Sequence, residues 1–168
     1  MRAWSRRLSA RELPLWDRDF IGLHLDARGQ LLFAQMDPAD QRHGLAVAKS
    51  ALAKRGYQLG APVEYLVQAA LLHDIGKVAG DLTPLTRICV GFLRRFLPRL
   101  RARLAKRDGT PLQRACYVDL RHAARGAYMA RAFGIAPDVV QIIRAHHDPP
   151  APYEAKILTY LREADRHN

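Results

Sequence analysis

The segment Ala61-Pro-Val-Glu-Tyr-Leu-Val-Gln-Ala-Ala-Leu-Leu-His-Asp-Ile-Gly-Lys77 decides how the chain is read. Val63, Leu66, Val67, Ala70 and Leu71 recur at three- and four-residue spacing, the period at which one face of an α-helix repeats. Pro62 suits a first helical turn, where its missing N–H would be unpaired in any case. Gly76 offers a place for the helix to turn off. The spacing therefore predicts a helix that runs out at His73-Asp74, leaving an imidazole and a carboxylate side by side at its end.

Outward from this helix, the chain reads as further helices. Asp26 is placed to cap a short one through Leu31, Leu32, Phe33 and Met36, after which Asp37-Pro38 breaks the chain and restarts it. The next presents Leu45, Val47, Ala48, Ala51 and Leu52 on one face and is expected to stop at Arg55-Gly56. A long segment from about Pro84 to Arg107 should kink at Pro98, and Asp108-Gly109-Thr110-Pro111 signals a turn. Two helices are expected between Leu112 and Phe133-Gly134. Pro137-Asp138 opens another, carrying Val139, Val140, Ile142 and Ile143; it must end near His146-His147-Asp148, because Pro149, Pro150 and Pro152 cannot continue it. The last helix carries Ile157, Leu158 and Leu161 and reaches Ala164-Asp165. No strand-like alternation of useful length and no internal repeat is present, so the expected fold is all-α, a single-domain helical bundle. Residues 1–36 read as an N-terminal arm or helix packed on the core, and 37–168 as the main domain.

The 168 residues hold 27 Lys+Arg against 16 Asp+Glu, a net charge of +11, with 49% hydrophobic residues. A chain of this length buries a core without a metal or disulfide staple, and it is too apolar for disorder. The positive excess favours anionic partners: phosphorylated small molecules, nucleic acid or an anionic membrane surface. Cys89 and Cys116 lack metal-binding spacing and form no disulfide framework, so packed thiols in a reducing cytoplasm are expected. Arg or Asp interrupts every apolar stretch well short of the roughly 20 residues that cross a bilayer. The basic start, Met1 to Ala10, is followed by Arg11, Glu12, Asp17, Arg18 and Asp19 where a secretory signal would place its apolar core, so no such signal is expected.

Chemistry is concentrated in the histidines. His43, His73, His122, His146 and His147, five of the seven, fall on or at the ends of predicted helices. Imidazoles on facing helices can build a metal site in a bundle, with carboxylates offsetting the cation's charge. Asp74 and Asp165 are suitably placed for that. His24 and His167 belong to no such pattern and read as surface or packing residues.

Taken together, His43, the pair His73-Asp74 within Leu71-Leu72-His73-Asp74-Ile75-Gly76-Lys77, and Asp165 within Leu161-Arg-Glu-Ala-Asp165 resemble the HD superfamily of metal-dependent phosphohydrolases, in its HDIG branch. His122 and the His146-His147 doublet are similar to the extra histidines of members that bind two metals. The resemblance spans about residues 37–166. It implies one metal held by His43, His73, Asp74 and Asp165, and a second held by His122, His146, His147 and again Asp74, whose two oxygens can bridge. A mixed nitrogen and oxygen shell suits iron or manganese, with zinc, magnesium and nickel as further candidates. The implied reaction is hydrolysis of a phosphoester or phosphoanhydride, in a nucleotide or cyclic dinucleotide, by a water activated between two metals. Asp74 and Lys77 are the candidate catalytic residues, and Lys77, Arg125 and Arg144 the candidates for holding a substrate phosphate. The cyclic-di-GMP-degrading branch carries a Gly-Tyr-Pro motif after its histidine doublet; here Asp148-Pro149-Pro150 follows, which disfavours that substrate. The ligand set is closer to HD hydrolases of cyclic di-AMP and of dinucleoside polyphosphates.

The basic amphipathic segment, about 84–107, lies between the HDIG motif and His122. Phe92, Leu93, Phe96, Leu97, Leu100 and Leu104 form one apolar face, flanked or opposed by Arg87, Arg94, Arg95 and Arg101. It reads first as a core-packed helix with a solvated basic surface, then as a lid supplying arginine to a phosphate-rich substrate, then as an interfacial membrane or partner-binding helix. The rival to an enzyme is a non-catalytic HD scaffold that binds nucleic acid or anionic membrane through this segment.

Overall fold

The computed structural model describes residues 13–59, 62–78, 80–148 and 155–168. The first twelve residues of the expected arm, and the stop signal at Pro149, Pro150 and Pro152, thus lie outside the described residues. Nine helices are present among them: α1 (Leu15–His24), α2 (Ala27–Phe33), α3 (Pro38–Leu59), α4 (Pro62–Leu72), α5 (Pro84–Phe96), α6 (Pro98–Leu104), α7 (Pro111–Ala132), α8 (Pro137–Ala145) and α9 (Ala155–His167). No strand occurs among the described residues, and Met36 and Val78 make only an isolated antiparallel bridge.

Six of the nine helices begin on a proline, so the sequence marks most starts directly. Side-chain caps add to this. Asp26 accepts a 2.8 Å hydrogen bond from the Gly29 N–H at the start of α2, and Thr83 with Thr86, and Thr110 with Gln113, form reciprocal capping boxes on α5 and α7. Each cap satisfies backbone donors that the first helical turn leaves unpaired.

Helix ends are less well marked. Helix α2 stops at Phe33, so Met36 lies beyond it. Helix α3 runs past Gly56 to Leu59, because a glycine inside a helix costs only about 1 kcal/mol relative to alanine and no proline follows until Pro62. Pro98 does more than kink its segment: Leu97 leaves helical geometry and α6 starts anew. The two helices expected between Leu112 and Gly134 are one continuous helix, α7. Its interior holds no proline, and its interior glycine, Gly126, is buried among Ile75, Gly76 and Ile143.

Helix α4 is the centre of the bundle. Leu66, Val67, Ala69, Ala70, Leu71 and Leu72 are all fully buried, since α1, α2, α3, α8 and α9 surround the helix. Gly44 permits the closest approach of α3: a Cβ there would lie 2.9 Å from the Leu71 carbonyl oxygen. A second, smaller core of Leu82, Val90, Leu93, Ala115, Cys116 and Val118 fixes α5 and α6 to α7 as a wing. Burial pushes the Cys116 thiol up from its ordinary pKa, in keeping with an inert packed cysteine. No helix among the described residues is long and apolar enough to cross a membrane.

The wing departs from the expected core-packed helix. Leu93 is buried and Leu104 half-buried, but Phe92, Phe96, Leu97 and Leu100 are exposed. Only the arc of α5 carrying Thr86, Val90 and Leu93 is covered.

Candidate metal centre

The chain leaves α4 at Leu72 and turns through His73, Asp74, Ile75 and Gly76. All four are buried, with His73 1% and Asp74 3% exposed. Gly76 does not serve as the helix stop, which comes four residues earlier. Its role is close approach: a Cβ on Gly76 would fall 2.0 Å from the His122 carbonyl oxygen, so only glycine lets the turn lie against α7. That contact carries Asp74 to His122.

Three histidines are held in the same manner. His73 Nδ1 is 2.9 Å from the Ala70 carbonyl oxygen, His122 Nδ1 is 2.7 Å from that of Asp119, and His146 Nδ1 is 2.6 Å from that of Ile143. An imidazole that donates Nδ1–H to a carbonyl has, when neutral, its lone pair on Nε2, which is the usual arrangement for a metal-binding histidine. The Nε2 atoms converge. His122 Nε2 lies 3.3 Å from His146 Nε2 and 2.9 Å from His147 Nε2, and 3.4 Å from Asp74 Oδ1. On the other side, His43 Nε2 lies 2.9 Å from Asp165 Oδ1, while His73 Nε2 is 3.6 Å from both Asp165 Oδ1 and Asp74 Oδ2.

These spacings fit a cation at each group. Two ligand atoms each about 2.05 Å from one ion are ~2.9 Å apart at a right angle and ~3.3 Å apart at the tetrahedral angle. His122 and His146 also turn lone pairs toward each other across 3.3 Å, an arrangement that repels until a cation lies between them. Among the described residues, two clusters have ligand atoms mutually close enough for an ion: His43, His73 and Asp74, and His122, His146 and His147. Asp74 directs Oδ2 to the first and Oδ1 to the second.

Electrostatics agree with this donor set. Burial drives the His122 pKa down to about 3 and that of His146 to about 2, and it lowers His147 as well, so all three stay neutral. For His73, burial alone would lower the pKa, but Asp74 and Asp165 together outweigh it and the net shift is upward. Burial would raise the pKa of Asp74, yet His73, Lys77 and His122 hold it well below the carboxylate range. Asp165 is likewise held low, against burial, by hydrogen bonds from His43 and His73. Two ionised carboxylates and several neutral imidazoles are the protonation states a divalent cation requires.

The remaining expected residues separate. Lys77 Nζ donates to Asp74 Oδ2 at 2.7 Å, directly at the site. Arg125 pairs with Asp81 at 2.8 Å, and Arg144 is exposed in the last turn of α8. His24 packs on Phe20 and meets Glu64 at 3.0 Å, and His167 is exposed.

Several supporting residues escape a reading by motif. Arg162 of α9 donates from Nε to the His146 carbonyl oxygen at 2.7 Å and from Nη2 to that of Ala145 at 2.9 Å, fixing the turn that carries the histidine doublet. Asp40, one turn before His43, accepts hydrogen bonds from Arg87 Nη1 and Nη2, at 2.8 and 2.6 Å. Asp119, one turn before His122, is bonded by Arg101 and has Arg94 3.7 Å away. The aspartate three residues before each histidine was a legible signal for the last two. Nothing local marks Arg162, which lies 16 residues from His146.

A family model described as the HD domain matches residues 42–167, three-quarters of the chain. No curated protein and no solved structure matches the chain.

Proposed function

The chain belongs to the HD-domain family, and from that premise we propose that it is an HDIG-type phosphohydrolase of a nucleotide or cyclic dinucleotide. HD domains are characteristically metal-dependent hydrolase domains, and a phosphorylated small-molecule substrate suits a chain of net charge +11. The observation that carries the proposal is the division of Asp74, one oxygen toward His43 and His73 and the other toward His122, His146 and His147.

In this reading, His43, His73, Asp74 and Asp165 hold one divalent ion, and His122, His146, His147 and Asp74 hold a second. Iron or manganese is favoured by the mixed nitrogen and oxygen donors. Such ions supply Lewis-acid polarisation of a phosphorus–oxygen bond and activation of a water for attack on it. The chain's own groups do the rest. Carbonyl partners at Ala70, Asp119 and Ile143 keep three imidazoles in one tautomer and one orientation, so the site needs little reorganisation. Lys77, now paired with Asp74, is the cation positioned to exchange that carboxylate for a substrate phosphate.

Manganese- or iron-loaded protein should hydrolyse bis(p-nitrophenyl) phosphate, and one member of a panel of cyclic di-AMP, diadenosine tetraphosphate and deoxynucleoside triphosphates. Asp74→Ala should lose both metal and turnover. Undiminished turnover in that variant sinks the proposal.

A further inference from the structure

Helix α5 is apolar over an arc about twice as wide as the fold covers. At 100° per residue, Thr86, Val90 and Leu93 share one arc and are buried against α7. Leu85, Ile88, Phe92 and Phe96 fill the neighbouring arc and are 70%, 71%, 56% and 62% exposed. Leu97 and Leu100 extend the strip onto α6, 44% and 42% exposed. Phe92 and Phe96 lie against each other, ring centroids 4.9 Å apart, and the Arg95 guanidinium sits 5.5 Å from the Phe96 ring.

Charge around this strip has one sign. From Leu82 to Arg107 there are eight Lys and Arg residues and no Asp or Glu. Arg87, Arg94 and Arg101 are drawn inward to Asp40 and Asp119. Among the described residues, Arg95, Arg99, Arg103, Lys106 and Arg107 have no carboxylate partner, and all five are exposed. A second copy of this chain is a poor occupant, because two such wings would bring like charges together. Nucleic acid would satisfy the arginines but offers no apolar medium for a strip of Leu, Ile and Phe. An anionic bilayer interface satisfies both, taking apolar side chains below the headgroups and cations among them.

We propose that the α5–α6 wing seats the protein peripherally on anionic phospholipid membranes, with Leu85, Ile88, Phe92 and Phe96 inserted and Arg95, Arg99 and Arg103 at the headgroups. The Arg87–Asp40 and Arg101–Asp119 pairs tie the wing to the helices bearing His43 and His122, so the bundle docks as one body. This docking does not depend on the centre being catalytic.

The test is cosedimentation of the full chain with phosphatidylcholine vesicles, with and without roughly one-third phosphatidylserine, at low and high salt. Binding should require phosphatidylserine and weaken with salt. Arg99→Gln with Arg103→Gln should reduce partitioning about 25-fold, roughly fivefold per cation. Phe92→Ser with Phe96→Ser should reduce it by more than about tenfold, with melting temperature and manganese content unchanged, since both rings are exposed. Absence of vesicle binding, equal binding without phosphatidylserine, or binding untouched by the phenylalanine pair would each overturn the proposal. So would tighter binding to duplex DNA than to vesicles, or self-association that the phenylalanine pair abolishes.

Discussion

Replacing Gly76 by alanine tests whether the approach of the HDIG turn to α7 assembles the centre. The added Cβ would meet the His122 carbonyl oxygen at 2.0 Å and its carbon at 2.7 Å. Both are backbone atoms inside α7, so neither can rotate away. Gly126 packs on the same turn, since a Cβ added there would lie 3.1 Å from Ile75 Cγ2 and 3.2 Å from the Gly76 nitrogen. The turn must retreat by about 1 Å, and overpacking of this kind costs about 2–3 kcal/mol. For a domain of this size that lowers the melting temperature by about 4–12 °C. Asp74 moves with the turn and leaves His122, now 3.4 Å from it, whereas ligand positions tolerate only about 0.2 Å. Metal analysis after manganese loading should therefore show loss at the His122, His146 and His147 group, alongside the lowered melt. Gly91→Ala is the control: nothing lies within 4 Å of its Cβ position, and in the interior of α5 it should gain up to about 1 kcal/mol. A Gly76→Ala protein with wild-type melting and full metal content would refute the reasoning.

Other predictions follow from the same geometry. Arg162→Met removes both bonds to the Ala145 and His146 carbonyls and should weaken metal binding at the histidine doublet about 10–100-fold, while the His43 and His73 group keeps its ion; competitive titration with a chelating dye reads both affinities, and equal loss at both groups contradicts it. In metal-free protein, His122 and His146 titrate near 3 and 2 when folded and near 6.5 when unfolded, so the unfolded chain binds more protons throughout that interval. Their contribution is complete above about pH 6.5 and is lost as pH falls, by about 3 kcal/mol for the two at pH 5.5. His73, raised on folding, gains stability as pH falls to about 6.5 and holds it constant below, so it offsets part of this loss between pH 7.5 and 6.5 and none of it further down. Urea unfolding of chelator-treated protein at pH 6.5 and 5.5, where the His73 contribution is constant, should show about 2 kcal/mol of that loss, and equal stability at both would contradict it. Asp165→Asn should release the ion of the His43 and His73 group, since Asp165 meets both imidazoles, and a variant retaining two ions would remove Asp165 from the site.

Much of the bundle was legible because its signals are local. Prolines at 38, 62, 84, 98, 111 and 137 each open a helix, and Asp26, Thr83 and Thr110 cap through side chains only three residues distant. Isolated glycines carry no such local meaning. Gly56 lies inside α3, and Gly76 stands for a contact with α7 that nothing nearby in the chain announces. The wing differs from its expected packing for a related reason: its apolar pattern is genuine, but periodicity cannot tell the arc that meets α7 from the arc that meets solvent.

Residue types and their order determined the all-α class, most helix starts, and which histidines and aspartates are the candidate metal ligands. Those properties depend on backbone sterics, capping and donor chemistry, all fixed within a few residues. Tertiary structure alone decided that Asp74 divides its oxygens between two imidazole groups, that Arg162 holds the histidine doublet from another helix, and that Phe92 and Phe96 face outward. Each of these is a contact, or the lack of one, between surfaces distant in sequence, settled by how closely α3, α4, α7, α8 and α9 can approach.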